Sequence, residues 1–225
     1  MRSYTSSLIP MTMQAAVILA GGRFARFGRD KNLAPLGGKP LIWWSAQALT
    51  GAGIVIIAAN NWAQAEKYLK IVGVGATAAL DPVPSQGVAG ALLQGMRATY
   101  ADNVAVAYAD TPFLTWGIYC LLFERAVGHD GAVLEAKGQP QYNIAVYRRL
   151  PAISALKAAT AKGLTDLAEC LKGLDLGTVK EEEARRYDPR MDCLFDVDSQ
   201  GDLHKAADIL ARREQETREK AECNP

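Results

Sequence analysis

Short apolar runs alternate along this chain with stretches whose apolar residues recur at helical spacing. Ile54-Val55-Ile56-Ile57-Ala58, Val104-Ala105-Val106-Ala107-Tyr108 and Gly131-Ala132-Val133-Leu134 are continuous β-branched or small runs. Such runs predict strands covered on both faces. Ala15–Leu19, a weaker Ala76–Leu80 and Ile144–Tyr147 complete the expected strands. Between them the pattern predicts helices over Pro40–Leu49, Ala63–Leu69, Gly90–Tyr100, Trp116–Val127, Ile153–Ala159, Thr165–Leu171 and Gln200–Ala221. Thr115 suits the N-cap of the fourth, and Thr165 or Gly163 that of the sixth. The last helix passes into Arg212-Arg213-Glu214-Gln215-Glu216, a run that predicts a solvated or frayed end. Strands alternating with helices define an α/β chain with a mostly parallel (mixed) sheet flanked by helices. No repeat or linker divides it. One domain is expected over 14–211, preceded by a flexible extension (1–13) and followed by a charged C-terminal helix end or tail (212–225).

Composition narrows the classes. Hydrophobic residues make up 49% and charged residues 22% of the 225, which excludes bulk disorder. A formal net charge of +1 gives no electrostatic footprint for nucleic acid or membrane. Any phosphate site must therefore be local. Cys120, Cys170, Cys193 and Cys223 form no CxxC pair and match no zinc template. Free thiols in a reducing cytoplasm are the expectation. The apolar stretch Ala15–Ala20 is too short for a signal sequence or a membrane span.

The densest chemistry follows the first strand: Leu19-Ala20-Gly21-Gly22-Arg23-Phe24-Ala25-Arg26-Phe27-Gly28-Arg29-Asp30-Lys31. Paired glycines let a backbone approach a ligand closely and offer consecutive N–H groups to an anion. Arg26 and Lys31 add two cations on the same loop, which suits a triphosphate. The segment is neither a Walker A loop nor a GxGxxG fingerprint. Asp110, just beyond the Val104–Tyr108 run, stands at a strand's carboxyl end, where a carboxylate can hold Mg2+ shared with phosphate oxygens. Asp-Thr-Pro is also turn chemistry, and spacing alone leaves both readings open. Asp196 and Asp198 alternate with Phe195 and Val197 and so share one face of an extended segment. Asp198 can serve a metal, or it can belong to the cap of the final helix, where Ser199 and Asp202 form a weak capping box.

The Leu19–Lys31 pattern resembles the signature of the molybdenum cofactor guanylyltransferases, the family of molybdopterin-guanine dinucleotide biosynthesis. Further segments continue the resemblance from roughly Ala15 to Leu210: Pro35-Leu36-Gly37-Gly38-Lys39-Pro40-Leu41, Asp81-Pro82-Val83-Pro84-Ser85-Gln86-Gly87-Val88-Ala89-Gly90, Tyr108-Ala109-Asp110-Thr111-Pro112-Phe113-Leu114 and Phe195-Asp196-Val197-Asp198. The resemblance implies a Rossmann-like nucleotidyltransferase fold with the nucleotide at the carboxyl ends of the strands. It assigns Leu19, Ala20, Gly21, Gly22, Asn60, Asp81, Gly87 and Gly90 to nucleotide binding, with Lys31 and Asp110. It makes Lys31 and Arg26 the catalytic cations, and Asp110 with Asp198 the Mg2+ ligands. Asn60-Asn61 could instead cap a helix, and Asp81-Pro82 could be a plain turn.

The activity implied is transfer of GMP from GTP to molybdopterin with release of pyrophosphate, alongside other proteins of molybdenum cofactor biosynthesis. Two alternatives stand beside it. One is cytidylyl or other nucleotidyl transfer to molybdopterin or to a sugar or alcohol phosphate; the other is a non-catalytic nucleotide-binding paralogue. The chain departs from the family pattern at Ala109, at Val88-Ala89, and at Tyr142-Asn143 in the Gln139–Asn143 stretch that should face the acceptor.

Overall fold

The computed structural model describes residues 13–21, 30–80 and 86–222. β1 (Gln14–Leu19) lies inside a seven-stranded sheet, and every residue from Ala15 to Leu19 is buried. On one side it pairs in parallel with β4 (Ile54–Ala59), which pairs in parallel with β5 (Ala76–Leu80). On the other it pairs in parallel with β6 (Asn103–Tyr108). The full order is β5-β4-β1-β6-β8-β7-β9. β8 (Gln139–Arg148) runs antiparallel to both β6 and β7 (Gly131–Ala136), while β9 (Leu176–Lys180) is parallel to β7. The sheet is therefore mixed, as expected. Its direction of growth reverses at β1, and in open α/β sheets the crevice outside the carboxyl ends at such a point is where ligands bind.

Helices cover both faces. α1 (Leu41–Ala48), α2 (Trp62–Val72) and α4 (Trp116–Arg125) pack on one face, around Ile18, Ile57, Tyr68 and Tyr119. α3 (Gly87–Arg97), α5 (Arg149–Thr160) and α6 (Leu167–Leu171) pack on the other, around Val17, Ile56, Leu92 and Leu156. Burying each large aliphatic side chain of these layers contributes about 1.5–3 kcal/mol. A third, smaller cluster joins Leu36, Leu41, Phe113, Val197, Ala206 and Leu210, and fixes the start of α8 (Gln200–Glu222) beside the end of β6.

Several local expectations are corrected. A two-stranded ribbon, β2 (Pro35–Leu36) with β3 (Lys39–Pro40), turns through Gly37 and Gly38 at positive φ, and a short α7 (Glu181–Ala184) follows β9. Neither has a periodic run long enough to be read. β8 extends well beyond Ile144–Tyr147, because Lys137 and Gly138, both at positive φ, close a hairpin back from β7. Asp166 caps α6, accepting from the Glu169 amide at 3.1 Å; neither Thr165 nor Gly163 does so. Thr115 occupies the N-cap position of α4, yet its buried hydroxyl has no hydrogen-bond partner. α8 runs to Glu222, close to the expected Ala221, but the start of its charged run is not solvated throughout: Arg212 pairs with Asp192 at 2.5 Å. Among the described residues no helix is long and apolar enough to cross a membrane.

Candidate active site

β1 delivers the chain to the switch point, where the Ala20 amide donates to the Ala58 carbonyl at 2.9 Å. This places Leu19, Ala20 and Gly21 beside the end of β4 and beside Asn60. A Cβ on Gly21 would sit 2.5 Å from Asn60 Oδ1, so any other residue there would make the Asn60 side chain move. Asn60 does not cap α2; Asn61 does, accepting from the Gln64 amide at 2.9 Å. Gly22, Arg26 and Asp81 lie outside the described residues.

The chain is described again at Asp30, whose carboxylate caps a single 3-10 turn, Lys31–Leu33, by accepting from the Asn32 amide. That carboxylate also meets the Tyr68 hydroxyl at 2.8 and 2.9 Å and the Gln64 amide group at 3.2 Å. Asn32, 3% exposed, donates to Ala20 O and to Tyr68 Oη. Burial pushes the Tyr68 hydroxyl well above its ordinary range, so it remains a donor. These four side chains lock the turn that carries Lys31. The sequence reading named none of them as site support; the contiguous Asp30-Lys31-Asn32 was the available signal.

Lys31 Nζ reaches two carboxylates, Asp110 Oδ2 and, at 2.7 Å, Asp198 Oδ1. Burial alone would lower the ammonium, but Asp110 and then Asp198 outweigh it and hold it above the ordinary lysine value. Burial in turn pushes the Asp110 carboxyl above the usual carboxylate range, and the contact with Lys31 only partly offsets this. Asp110 Oδ1 is buried with no hydrogen-bond partner.

The turn at Asp110 is closed by other groups. Thr111 Oγ1 donates to Tyr108 O, Ser45 Oγ lies 3.1 Å from both Ala109 O and Thr111 O, and the Val197 amide donates to Asp110 O. Asp198 is likewise released from capping, because the Asp202 amide donates to Ser199 Oγ. Asp196 stays open to solvent on one side. Desolvation, and then the like charges of Asp110 and Asp198, push its carboxyl up to about 7, a shift that solvent access tempers.

Gly87 and Gly90 fall in the first turn of α3, the helix after β5. Gly87 takes φ +58°, and a Cβ there would press within 2.9 Å of Thr165 Cβ. Sequence-predicted residues thus gather in two groups at the carboxyl end of the sheet. Leu19, Ala20, Gly21 and Asn60 form one; Lys31, Asp110 and Asp198 form the other.

No three His, Cys, Asp or Glu among the described residues are arranged to hold a metal. Asp110 and Asp198 supply a pair, and Mg2+ commonly takes only one or two protein carboxylates when phosphates and water complete its shell. The orphaned Oδ1 of Asp110 is the atom such an ion would satisfy. The donor set fits.

A cation and two acids thus meet at the carboxyl ends of the strands, in the crevice where open α/β sheets bind their ligands. The matching family model, the MobA-like NTP transferase domain, spans residues 16–175. The chain belongs to this family. It is 30% identical over 207 residues to a probable molybdenum cofactor guanylyltransferase of Natronomonas pharaonis, covering 89% of this chain and all of that protein. The structure is similar to molybdopterin-guanine dinucleotide biosynthesis protein A of Archaeoglobus fulgidus, with TM-score 0.75 and 22% identity over 88% of this chain and 100% of that one. It also resembles 2-C-methyl-D-erythritol 4-phosphate cytidylyltransferase of Thermus thermophilus, with TM-score 0.64 and 19% identity over 90% and 100% of the two chains. The protein is a nucleotidyltransferase of the molybdenum cofactor guanylyltransferase type.

Proposed function

We propose that this protein transfers GMP from GTP to molybdopterin, releasing pyrophosphate. The observation that carries the reading is the meeting of Lys31, Asp110 and Asp198 at the carboxyl end of β6, beside the tight Gly21–Asn60 approach. An acceptor phosphate attacking the α-phosphorus needs alignment and charge neutralisation more than an acid–base pair.

Lys31 would exchange a carboxylate for phosphate oxygens, its turn held in place by Asp30, Asn32, Gln64 and Tyr68. Arg26 would add a second cation to the triphosphate. The backbone of Leu19–Gly22, with Asn60, Asp81 and the turn that carries Gly87 and Gly90, would hold base and ribose. Asp110 and Asp198 would hold Mg2+, which supplies charge neutralisation on the phosphates. The Gln139–Asn143 half of β8 is the wall that would meet the acceptor. A cytoplasmic setting suits the free thiols of Cys120, Cys170 and Cys193, and the other proteins of molybdenum cofactor biosynthesis would be its company.

The test is incubation with Mg2+, molybdopterin and each nucleoside triphosphate in turn. Pyrophosphate release with GTP is the expected result. Faster release with CTP would reassign the base, and GTP binding with no release under any condition would make the chain a non-catalytic binder.

A further inference from the structure

We propose that Arg213, outside the cleft, is the positioning residue that sets the spacing between the Asp110 and Asp198 carboxylates. The inference rests on reading that pair as the Mg2+ ligands. Each acid sits on its own segment: Asp110 on the turn after β6, Asp198 on the extended chain before α8. Arg213 touches both segments and neither acid. Its Nη1 donates to Phe113 O at 3.2 Å, and its guanidinium lies over the Phe113 ring at 5.5 Å. Phe113 is three residues past Asp110, with Pro112 stiffening the link.

The same guanidinium faces Asp188 Oδ1 and Asp192 Oδ2, each at 3.7 Å. Those side chains are only 2% and 9% exposed. Asp188 also accepts the Cys193 amide at 2.7 Å, and Asp192 takes Arg212 at 2.5 Å. Asp188 and Asp192 thereby anchor the base of the segment that leads through Phe195 and Val197 to Asp198. Its far end is tied across by the Val197 amide to Asp110 O at 3.0 Å and by the Phe113–Phe195 ring contact at 6.3 Å.

Only a planar fork with several N–H groups can address a carbonyl on one segment and two carboxylates on the other; a lysine is a single point charge. Groups that orient metal ligands without touching the metal typically cost about 10–100-fold in metal affinity when removed.

The experiment uses the full chain with GTP and Mn2+, binding being read as loss of the free-ion paramagnetic signal beyond that of a GTP and Mn2+ blank, since the nucleotide alone takes up the ion. Wild type, Arg213→Ala and Arg213→Lys are compared with Arg125→Ala, which removes a guanidinium tied to Thr178 O and Glu183 instead of to Phe113, Asp188 and Asp192. Arg213→Ala and Arg213→Lys should both weaken Mn2+ about tenfold or more and raise the Mg2+ concentration for half-maximal pyrophosphate release in parallel. GTP affinity in chelator should not change. Arg125→Ala should lower the melting temperature while leaving Mn2+ affinity at the wild-type value. If Arg213→Ala does not fold, Arg213→Lys decides, since it keeps the charge facing Asp188 and Asp192. Wild-type Mn2+ affinity in Arg213→Lys overturns the proposal. Failure of wild type itself to bind Mn2+ with GTP present overturns the metal reading, and this proposal with it.

Discussion

The Tyr68 hydroxyl meets both oxygens of the Asp30 carboxylate, at 2.8 and 2.9 Å, while accepting from Asn32 Nδ2 at 3.0 Å. One buried phenol on α2 thus holds two residues that bracket Lys31. Tyr68→Phe keeps the ring in its packed site and removes that shared group. Leaving buried polar atoms short of a partner costs about 1–3 kcal/mol. The variant should melt several degrees lower, and its KM for GTP should rise more than its kcat falls, because the lysine remains but its turn loosens. Calorimetry with steady-state pyrophosphate kinetics checks both.

Lys31→Ala and Asp110→Asn separate the two sides of the ion pair. Each should lower kcat by about 10²–10³, the usual loss for one preorganised electrostatic contact. Their metal responses should differ: Lys31→Ala keeps a normal Mg2+ titration, whereas Asp110→Asn shifts it to higher concentration. Full Mg2+-dependent turnover in Asp110→Asn would remove that residue from the metal site.

Gly21→Ala introduces a methyl group 2.5 Å from Asn60 Oδ1. Overpacking of this kind typically costs about 1–3 kcal/mol, and here the strain falls on the approach between β1 and β4. GTP affinity should drop by at least tenfold in titration calorimetry. Gly38→Ala is the comparison: its Cβ meets nothing within 4 Å, but its φ of +78° penalises any side chain. That variant should lose a little stability and no GTP affinity.

Ser199→Ala deletes the cap at the start of α8, where the Asp202 amide donates to Ser199 Oγ. Loss of an N-cap costs about 1 kcal/mol. The melting temperature should fall while the Mg2+ titration holds, since α8 is anchored further along by Arg212 and Arg213. A shifted Mg2+ titration would mean that the cap itself places Asp198.

The parallel core was legible because its strands announce themselves: β1, β4 and β6 are buried on both faces and carry unbroken apolar runs. β9 was not. It has Gly177 as its second residue, pairs on one side only, and is buried only at Gly177 and Val179, so periodicity had little to register. In the site, Asp110 stood out as an acid just beyond the apolar run of β6, and Lys31 as a cation on the Gly-rich loop that follows β1. Asp198 remained ambiguous in sequence because Ser199 and Asp202 advertise a cap; the structure shows that the cap is theirs. The charged run at Arg212-Arg213 reads as a solvated face, because the acids that bury it, Asp188 and Asp192, lie well upstream in the chain and no local pattern joins them.

β8 is the one reversed strand of the large sheet, so its hairpin through Lys137 and Gly138 projects from the same end as Asp110. The wall beside the site is thus built from a strand's beginning and not from another βα loop. Residues 139–141 pair with β7, whereas β6 pairs with β8 only at 145–148, so the register that joins β8 to β6, β1 and β4 lies outside this stretch. Under the proposed reaction, acceptor choice and nucleotide choice are written on separable pieces of chain. The change at Tyr142-Asn143 is then a change of acceptor wall alone, open to grafting from a relative as a short cassette.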